Sequence, residues 1–380
     1  MNVELTKWPE AHLGSTDLLD ASADGFLLGK SAAFRVALLI PMCGSAGLWA
    51  PSCIASAQVA VGELNCRSGI AGRQVQMIMI DSALEAQTPV EELVNSLIEA
   101  GSIDAIVGMH ISAIRQRLVK VVKSRIPYIY TPLYEGGECT PGVFTIGDTP
   151  PQQLGPAMSH LQKQFGLKNW ALIGNDYVWP RTSNGYAKIK LAEMGVNLVY
   201  EQYLPFGGGD LNHEIEAISA SGADAVLMSL VGQDAVDFNR IFGSYGLDEN
   251  MIRLSCAIEE NALLASGAEN VKRLFSSASY FAAINTPENA VFREKYHGFH
   301  GDRAPVLNSI GQSTYEGLQF LSSLIGDSKT DWRERQFSDC NPIQYDSVRR
   351  ASYSSNASSG SPVYLARANG IIFDDIKVLI

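Results

Sequence analysis

From residue 34 onward the chain alternates short apolar runs with segments of helical spacing, and few folds accommodate that alternation. FRVALLIP (34–41) is almost continuously apolar, the mark of a strand buried on both faces. A turn (41–47), a helix-spaced segment (51–65), a second turn cluster (66–74) and the strand VQMIMID (75–81) follow. A helix over 89–101, DAIVG (104–108), a helix over 112–124 and PYIYT (127–131) complete a first series. WALIGND (170–176), a helix over 183–194, VNLVYEQYLP (196–205), a helix over 211–222, ADAVLMSLVG (223–232), a helix over 233–245 and IRLSCA (252–257) make a second. Such units predict parallel sheets wound right-handed, hence an α/β fold of two doubly wound lobes with a ligand cleft between them. The expected division is an N-terminal extension (1–33), a first lobe (34–155 plus about 283–325) and a second (156–282 plus about 326–380). The tail breaks the rhythm: SSNASSGS (354–361) is of low complexity, and Ala368-Asn369-Gly370 reads as a hairpin turn between two strands.

Charge narrows the function. With 29 basic and 40 acidic side chains the net charge is −11, which argues against nucleic acid or anionic lipid as the main partner. No apolar run approaches the roughly 18 residues of a membrane span. The first thirty residues carry Glu4, Glu10, Asp17, Asp20 and Asp24 and lack the basic start and apolar core of a secretory signal, so the expectation is a cytoplasmic protein, or a periplasmic one if a leader was removed. Cys43, Cys53, Cys66, Cys139, Cys256 and Cys340 form no C-x-x-C pair and read as reduced thiols; a Cys43–Cys66 or Cys53–Cys66 bridge is the alternative for an exported chain.

In open α/β sheets ligands sit beyond the carboxyl ends of the strands, so the strand-to-helix turns are where function belongs. These turns hold no phosphate loop, no complete G-x-G-x-x-G and no G-x-S-x-G. Gly207-Gly208-Gly209 reads as a connecting loop with Asp210 capping the next helix. His297 and His300 lack further metal ligands, and no turn pairs a nucleophile with a base, so neither a cofactor nor catalysis is expected. Glu259 and Glu260 are adjacent and point apart, one toward a cleft and the other toward solvent. Ser112 stands where a strand ends and a helix begins, to cap that helix or to offer its hydroxyl to a ligand. Tyr130, Thr131 and Tyr134 sit on one turn and Tyr177 and Trp179 on a turn of the other lobe. Aromatic residues at turns of both lobes suit a box around a small, partly polar molecule.

These residues resemble a known family. VAVGELNCRSGIAGRQVQMIMIDSALEAQTPVEEL (59–93), DAIVGMHISAIRQ (104–116) and GADAVLMSLVGQDAVDFNRIFGSYGL (222–247) are similar to the type I periplasmic-binding-protein fold of the leucine/isoleucine/valine-binding class. YEGGECTPGVFTIGDTPPQQLGP (134–156) and NDYVWPRTSN (175–184) resemble its urea- and short-chain-amide-binding branch. The resemblance spans residues 34 to about 326. It implies a two-lobed clamp that closes on a small amide, urea or amino acid without chemistry. The partner would be the permease of an ABC importer or, in the leaderless subgroup that senses amides in the cytoplasm, an antiterminator-type regulator. The leaderless start favours the sensor, with the importer's receptor as the alternative; a homodimer stays open.

Carried onto this chain, the resemblance assigns the ligand-bonding hydroxyl to Ser112, the aromatic wall to Tyr177 and Trp179, and the opposing turn to Tyr130, Thr131, Leu133 and Tyr134. Glu259 falls on the second-lobe loop facing the ligand, and Gln233 on the turn over 231–234. His110 and Trp179 stand where the amide sensor has tyrosines, and Tyr130-Thr131-Pro132 departs from the family's Tyr-Pro order. Proline lacks an N–H, so any backbone donor at 132 is lost while one appears at 131.

Overall fold

The computed structural model describes residues 18–20, 31–84, 86, 88–326, 331–333, 335–336 and 342–380. Its first sheet holds β1 (Leu18–Asp20), β2 (Phe34–Ile40), β3 (Val75–Asp81), β4 (Ala105–Gly108), β5 (Tyr128–Tyr130) and β6 (Val143–Thr145), all parallel, in the order β1-β3-β2-β4-β5-β6. The apolar run of β2 takes a central place, with Val36 opposite both Met77 and Ala105. Three residues of the N-terminal extension join this sheet as its edge, through β1. The crossovers are α1 (Ala50–Cys66), α2 (Val90–Glu99) and α3 (Ser112–Val122).

The second lobe opens with α4 (Pro150–Phe165), which starts on a capping box: the Thr149 side chain accepts from the Gln152 backbone, and the Gln152 side chain accepts from Thr149 N. Four βα units follow: β7 (Asn169–Asn175) with α5 (Val178–Met194), β8 (Asn197–Leu204) with α6 (Leu211–Ala220), β9 (Ala225–Ser229) with α7 (Gly232–Ser244), and β10 (Ile252–Ser255) with α8 (Glu260–Ser266). Parallel β11 (Leu274–Ala278) then leads back to the first lobe, where α9 (Pro287–His300) and α10 (Ser309–Gly326) pack on α1.

The tail is divided differently from the sequence reading, which groups 326–380 with the second lobe. Small β12 (Ile343–Gln344), β13 (Ser352–Ser354) and β14 (Ala357–Ser359) form their own sheet. They lie on the first lobe, because the Tyr353 ring packs on Phe144 and Phe320 at 5.7 and 5.1 Å. The expected hairpin, β15 (Tyr364–Asn369) and β16 (Ile372–Val378), joins the second sheet, antiparallel to β11, giving the order β16-β15-β11-β10-β9-β7-β8. The chain therefore crosses between lobes three times, near 146–149, 279–286 and 360–363.

Among the described residues no helix is long and apolar enough to cross a membrane, and no cluster of ligating side chains could hold a metal ion. Cys43, Cys53, Cys66, Cys139 and Cys256 are not joined in disulfides, so neither the Cys43–Cys66 nor the Cys53–Cys66 bridge is formed, and the Cys43 thiol donates to Asp81 at 3.4 Å; Cys340 lies outside the described residues.

The packing of α10 on α1 depends on Gly311. A Cβ there would stand 2.7 Å from the Ser52 carbonyl oxygen, on the helix it faces. Gly311→Val should force the helices apart and cost ~1–3 kcal/mol, the usual range for an overpacked core. Gly185, inside α5, has open space where its Cβ would be. Gly185→Ala should be neutral or stabilising by up to ~1 kcal/mol, a helix-propensity gain. Urea denaturation of both variants checks the contrast.

Candidate functional site

The carboxyl ends of the two sheets face each other across a narrow cavity. It holds about 340 Å³ of space between atoms, the solvent at its mouth included. The first lobe contributes Trp49, His110, Ile111, Ser112, Tyr130, Pro132, Leu133 and Ile310, and the second Tyr177, Trp179, Val231 and Ala257. Six residues expected at the site thus meet here: His110, Ser112, Tyr130, Leu133, Tyr177 and Trp179.

Ser112 is the first residue of α3, where backbone N–H groups have no partner within the helix. Its side chain makes no capping bond; its hydroxyl lies 3.3 Å from that of Tyr130. Tyr130 gives its one proton to the His110 carbonyl at 2.8 Å, so Ser112 is the donor in that pair. Its oxygen therefore keeps free lone pairs, and the rotor can turn to donate to a ligand. This cluster sits at the positive end of an 11-residue helix, where a carbonyl or carboxylate oxygen is stabilised.

His110 supports the wall and offers the ligand no proton. Its Nδ1 lies 3.1 Å from the Ile111 carbonyl, which only accepts, so Nδ1 carries the hydrogen and Nε2 accepts from the Tyr128 hydroxyl at 2.9 Å. Burial, and then the nearby Arg115, hold its pKa down to about 3, so it is neutral. Arg115 is itself buried, paired with Glu135 at 2.7 Å and Glu138 at 3.1 Å. Its guanidinium lies over the rings of Tyr130 and Tyr134, 5.2 and 5.4 Å from their centroids, and fixes the aromatic turn.

On the second lobe the Tyr177 and Trp179 rings lie 6.4 Å apart between centroids, tilted by 36°, with Phe206 against Tyr177 at 5.2 Å. The Tyr177 hydroxyl has no hydrogen-bond partner among the described residues. Asn175 ties this turn to the neighbouring one by accepting from Val231 N at 2.9 Å and donating to Asp234 at 2.6 Å.

Four expected residues lie away from the cavity wall. Thr131 turns to a second cavity behind it, and Tyr134 stands beneath Arg115. Gln233 is exposed on α7 and donates to Asp237 at 2.8 Å. Glu259 is spent on capping α8: its carboxylate accepts from Asn261 N at 2.5 Å and Ala262 N at 3.2 Å. The expectation that one carboxylate of this pair faces the cleft and the other solvent is also corrected: Glu259 is buried in its cap, and Glu260 is half-buried and accepts from Ala282 N at 2.7 Å. Trp49, Val231 and Ala257 do stand on the turns where function was expected, whereas Ile310 comes from α10 with no signal in its sequence.

The lobes touch closely beside the cavity. Gly232 has φ +57°, in the left-handed region, and a Cβ on it would stand 2.0 Å from the Ser45 carbonyl of the opposite lobe. Asn261 also reaches across, donating to Leu48 O at 3.4 Å. Two lobes joined by three crossings, with a cleft between their facing turns, have the architecture of a hinged clamp.

The chain belongs to the periplasmic-binding-protein family, whose model matches residues 33–370. It has the type I, leucine/isoleucine/valine-binding-like fold, and it is a binding protein, not an enzyme. One similar structure is an R. palustris ABC-transporter solute-binding protein in complex with 4-hydroxybenzoate: 17% identity, TM-score 0.77, over 91% of this chain and 96% of that one. A second R. palustris solute-binding protein, in complex with benzoate, is 16% identical with TM-score 0.76, covering 91% and 96%. The branched-chain amino acid transporter substrate-binding protein of Streptococcus pneumoniae, in complex with isoleucine, is 13% identical with TM-score 0.78, covering 91% and 99%.

Two outcomes follow from this geometry. Gly232→Ala should hold the lobes apart, seen as a larger radius of gyration by small-angle X-ray scattering with the secondary structure unchanged. The second outcome concerns pH. Burial, and then Glu260, push the Glu259 carboxyl up to about 8, and burial pushes Glu260 up to about 7. Both groups bind their protons more tightly folded than unfolded, so the stability they contribute is full below pH 4.5 and is lost as pH rises through 7 to 8. Calorimetry should show the melting temperature falling between pH 5 and pH 8. The fall should be shallower in Glu259→Gln, which keeps an oxygen for the cap; parallel curves would contradict the argument.

Proposed function

We propose that the chain is the substrate-binding component of an ABC importer, and that its ligand is a small, flat monocarboxylate of the aromatic-acid class. The observation that carries this reading is the lining of the cleft. One end offers neutral donors, Ser112 and the N-terminus of α3; Trp49, Tyr130, Tyr177 and Trp179 surround the rest; no charged side chain lines the wall. A helix N-terminus with a hydroxyl suffices for one carboxylate. An α-amino acid would also need a partner for its ammonium group, and the nearest candidate, Glu259, is occupied in a cap. Urea and short amides are too small to use four rings. The family and the transporter proteins of similar fold support the importer over a cytoplasmic amide sensor with an antiterminator partner. On this reading the chain acts outside the cytoplasm and docks on a permease.

The test is a thermal-shift screen of aromatic acids, branched-chain amino acids, acetamide and urea, followed by calorimetric titration. A ligand at 100 times its Kd should stabilise the fold by ~2.7 kcal/mol. Ser112→Ala should weaken the best aromatic acid by about 3- to 10-fold, the loss of one hydrogen bond. Glu259→Gln should leave the affinity within about threefold, since the carboxylate makes no ligand contact on this reading. Tighter binding of an amino acid, acetamide or urea than of any aromatic acid would refute the proposal.

A further inference from the structure

One turn of the first lobe reaches across the cleft at several points, and none of these contacts runs through a ligand. It lies between β2 and α1, at residues 44–49, with Ser45–Trp49 wound as a single tight helical turn. It is fixed on its own lobe. Gly47 N donates to the Gly44 carbonyl at 3.1 Å. Beneath it Asp81, the last residue of β3, accepts from Met42 N at 2.9 Å and from the Cys43 thiol at 3.4 Å. The turn therefore stands on the first lobe as a braced peg.

The peg meets the starts of two second-lobe helices, α7 and α8. At α7 the Ser45 carbonyl oxygen occupies the space that a Cβ would need on Gly232, the first residue of that helix. The first turn of an α-helix has backbone N–H groups without helical partners and a partial positive charge, which favours a carbonyl oxygen there. The Ser45 side chain faces the Asp234 carboxylate, two residues further along α7. Asp234 accepts from Asn175 Nδ2 at 2.6 Å and from Gly207 N at 3.0 Å, so one carboxylate gathers three second-lobe turns against the peg. At α8 Asn261 Nδ2 donates to the Leu48 carbonyl at 3.4 Å. Ser45 and Asp234 are 8% and 9% exposed, so water competes little for this contact. Trp49 and Val231, the sequence neighbours of Leu48 and Gly232, line the ligand cavity, which places the contact directly beside it.

We propose that the 44–49 turn is a closure latch that holds the two lobes together before any ligand arrives. In a clamp closed by its ligand alone, the bridging bonds run through the ligand; here they run from lobe to lobe. The closed form is then the resting form, and a ligand enters during intervals of opening, at a rate scaled by the open fraction. Ser45 and Asn261 act on binding through that fraction and without touching the ligand. The inference rests on the two-lobed architecture and is independent of the ligand class proposed above.

The experiment uses the full chain with no ligand added. Small-angle X-ray scattering of the wild type should match the curve calculated from the closed structure. Ser45→Ala and Asn261→Ala each remove one side chain of the latch and leave the cavity wall in place. Each should raise the ratio of open to closed molecules about threefold, and the double variant about tenfold, the effect of losing one and two hydrogen bonds. Amide hydrogen exchange reads that ratio directly: exchange at residues 45–49 and 232–234 should quicken by the same factors, while β2 and β9, in the lobe cores, exchange as in the wild type. The core strands separate opening of the clamp from a general loss of stability. Wild-type scattering that requires an open form overturns the latch. So does interlobe exchange that is unchanged in the double variant, or that rises equally in β2 and β9. None of these outcomes bears on which ligand the cleft takes, so the latch and the aromatic-acid reading stand or fall separately.

Discussion

All that the cleft does depends on parallel pairing. In a parallel sheet every strand ends on the same edge, so β2, β4 and β5 deliver their carboxyl ends, and the turns that follow, to one place. The second sheet does the same with β7, β9 and β10. Residues as distant in sequence as Trp49, Ser112, Tyr177 and Ala257 become neighbours for that reason alone. The pairing also aims α3 with its N-terminal N–H groups at the cleft, so the sheet supplies an anion-binding end without any charged side chain.

Around this frame the charges are kept out of the box and set to hold it. Arg115 spends its charge on Glu135 and Glu138 and its flat face on two tyrosines. His110 is neutral and uses both ring nitrogens on its own lobe. The rings are thereby fixed before a ligand arrives, which reduces the ordering cost of binding. What remains directed inward is a small set of neutral polar groups in a mostly apolar wall, the usual constitution of a small-molecule site.

Much of the fold was legible in the sequence because strands buried on both faces must be continuously apolar; β2, β7 and β9 announce themselves that way. β11 does not, since its sequence LFSSA places two serines in a buried strand, where Ser276 donates to the Ile258 carbonyl at 2.6 Å. The Asn-Gly hairpin was legible as a hairpin, whereas its docking against β11 was not, because pairing partners leave no local mark. In the site, aromatic residues at turns pointed to the cleft. Misleading there was Glu259: glutamate is not among the residues that favour an N-cap, so its duty at the start of α8 shows only in the distances to Asn261 and Ala262. The neutrality of His110 was likewise hidden, since it comes from burial in the folded protein, and the Tyr128 hydroxyl that donates to its Nε2 lies on the next strand.

The route of the chain has a consequence for its synthesis. The second lobe begins at α4 and runs on to β11, yet its sheet is completed by β15 and β16, from the last seventeen residues. A ribosome makes these strands after the whole first lobe. Until then β11 presents an unpaired edge, a template on which other chains pair and aggregate. The first lobe, interrupted after β6, also waits for α10 before its core is covered. Neither half is a unit that can fold and be released early, so the protein has a late, shared point of completion, and its vulnerable interval is set by translation time.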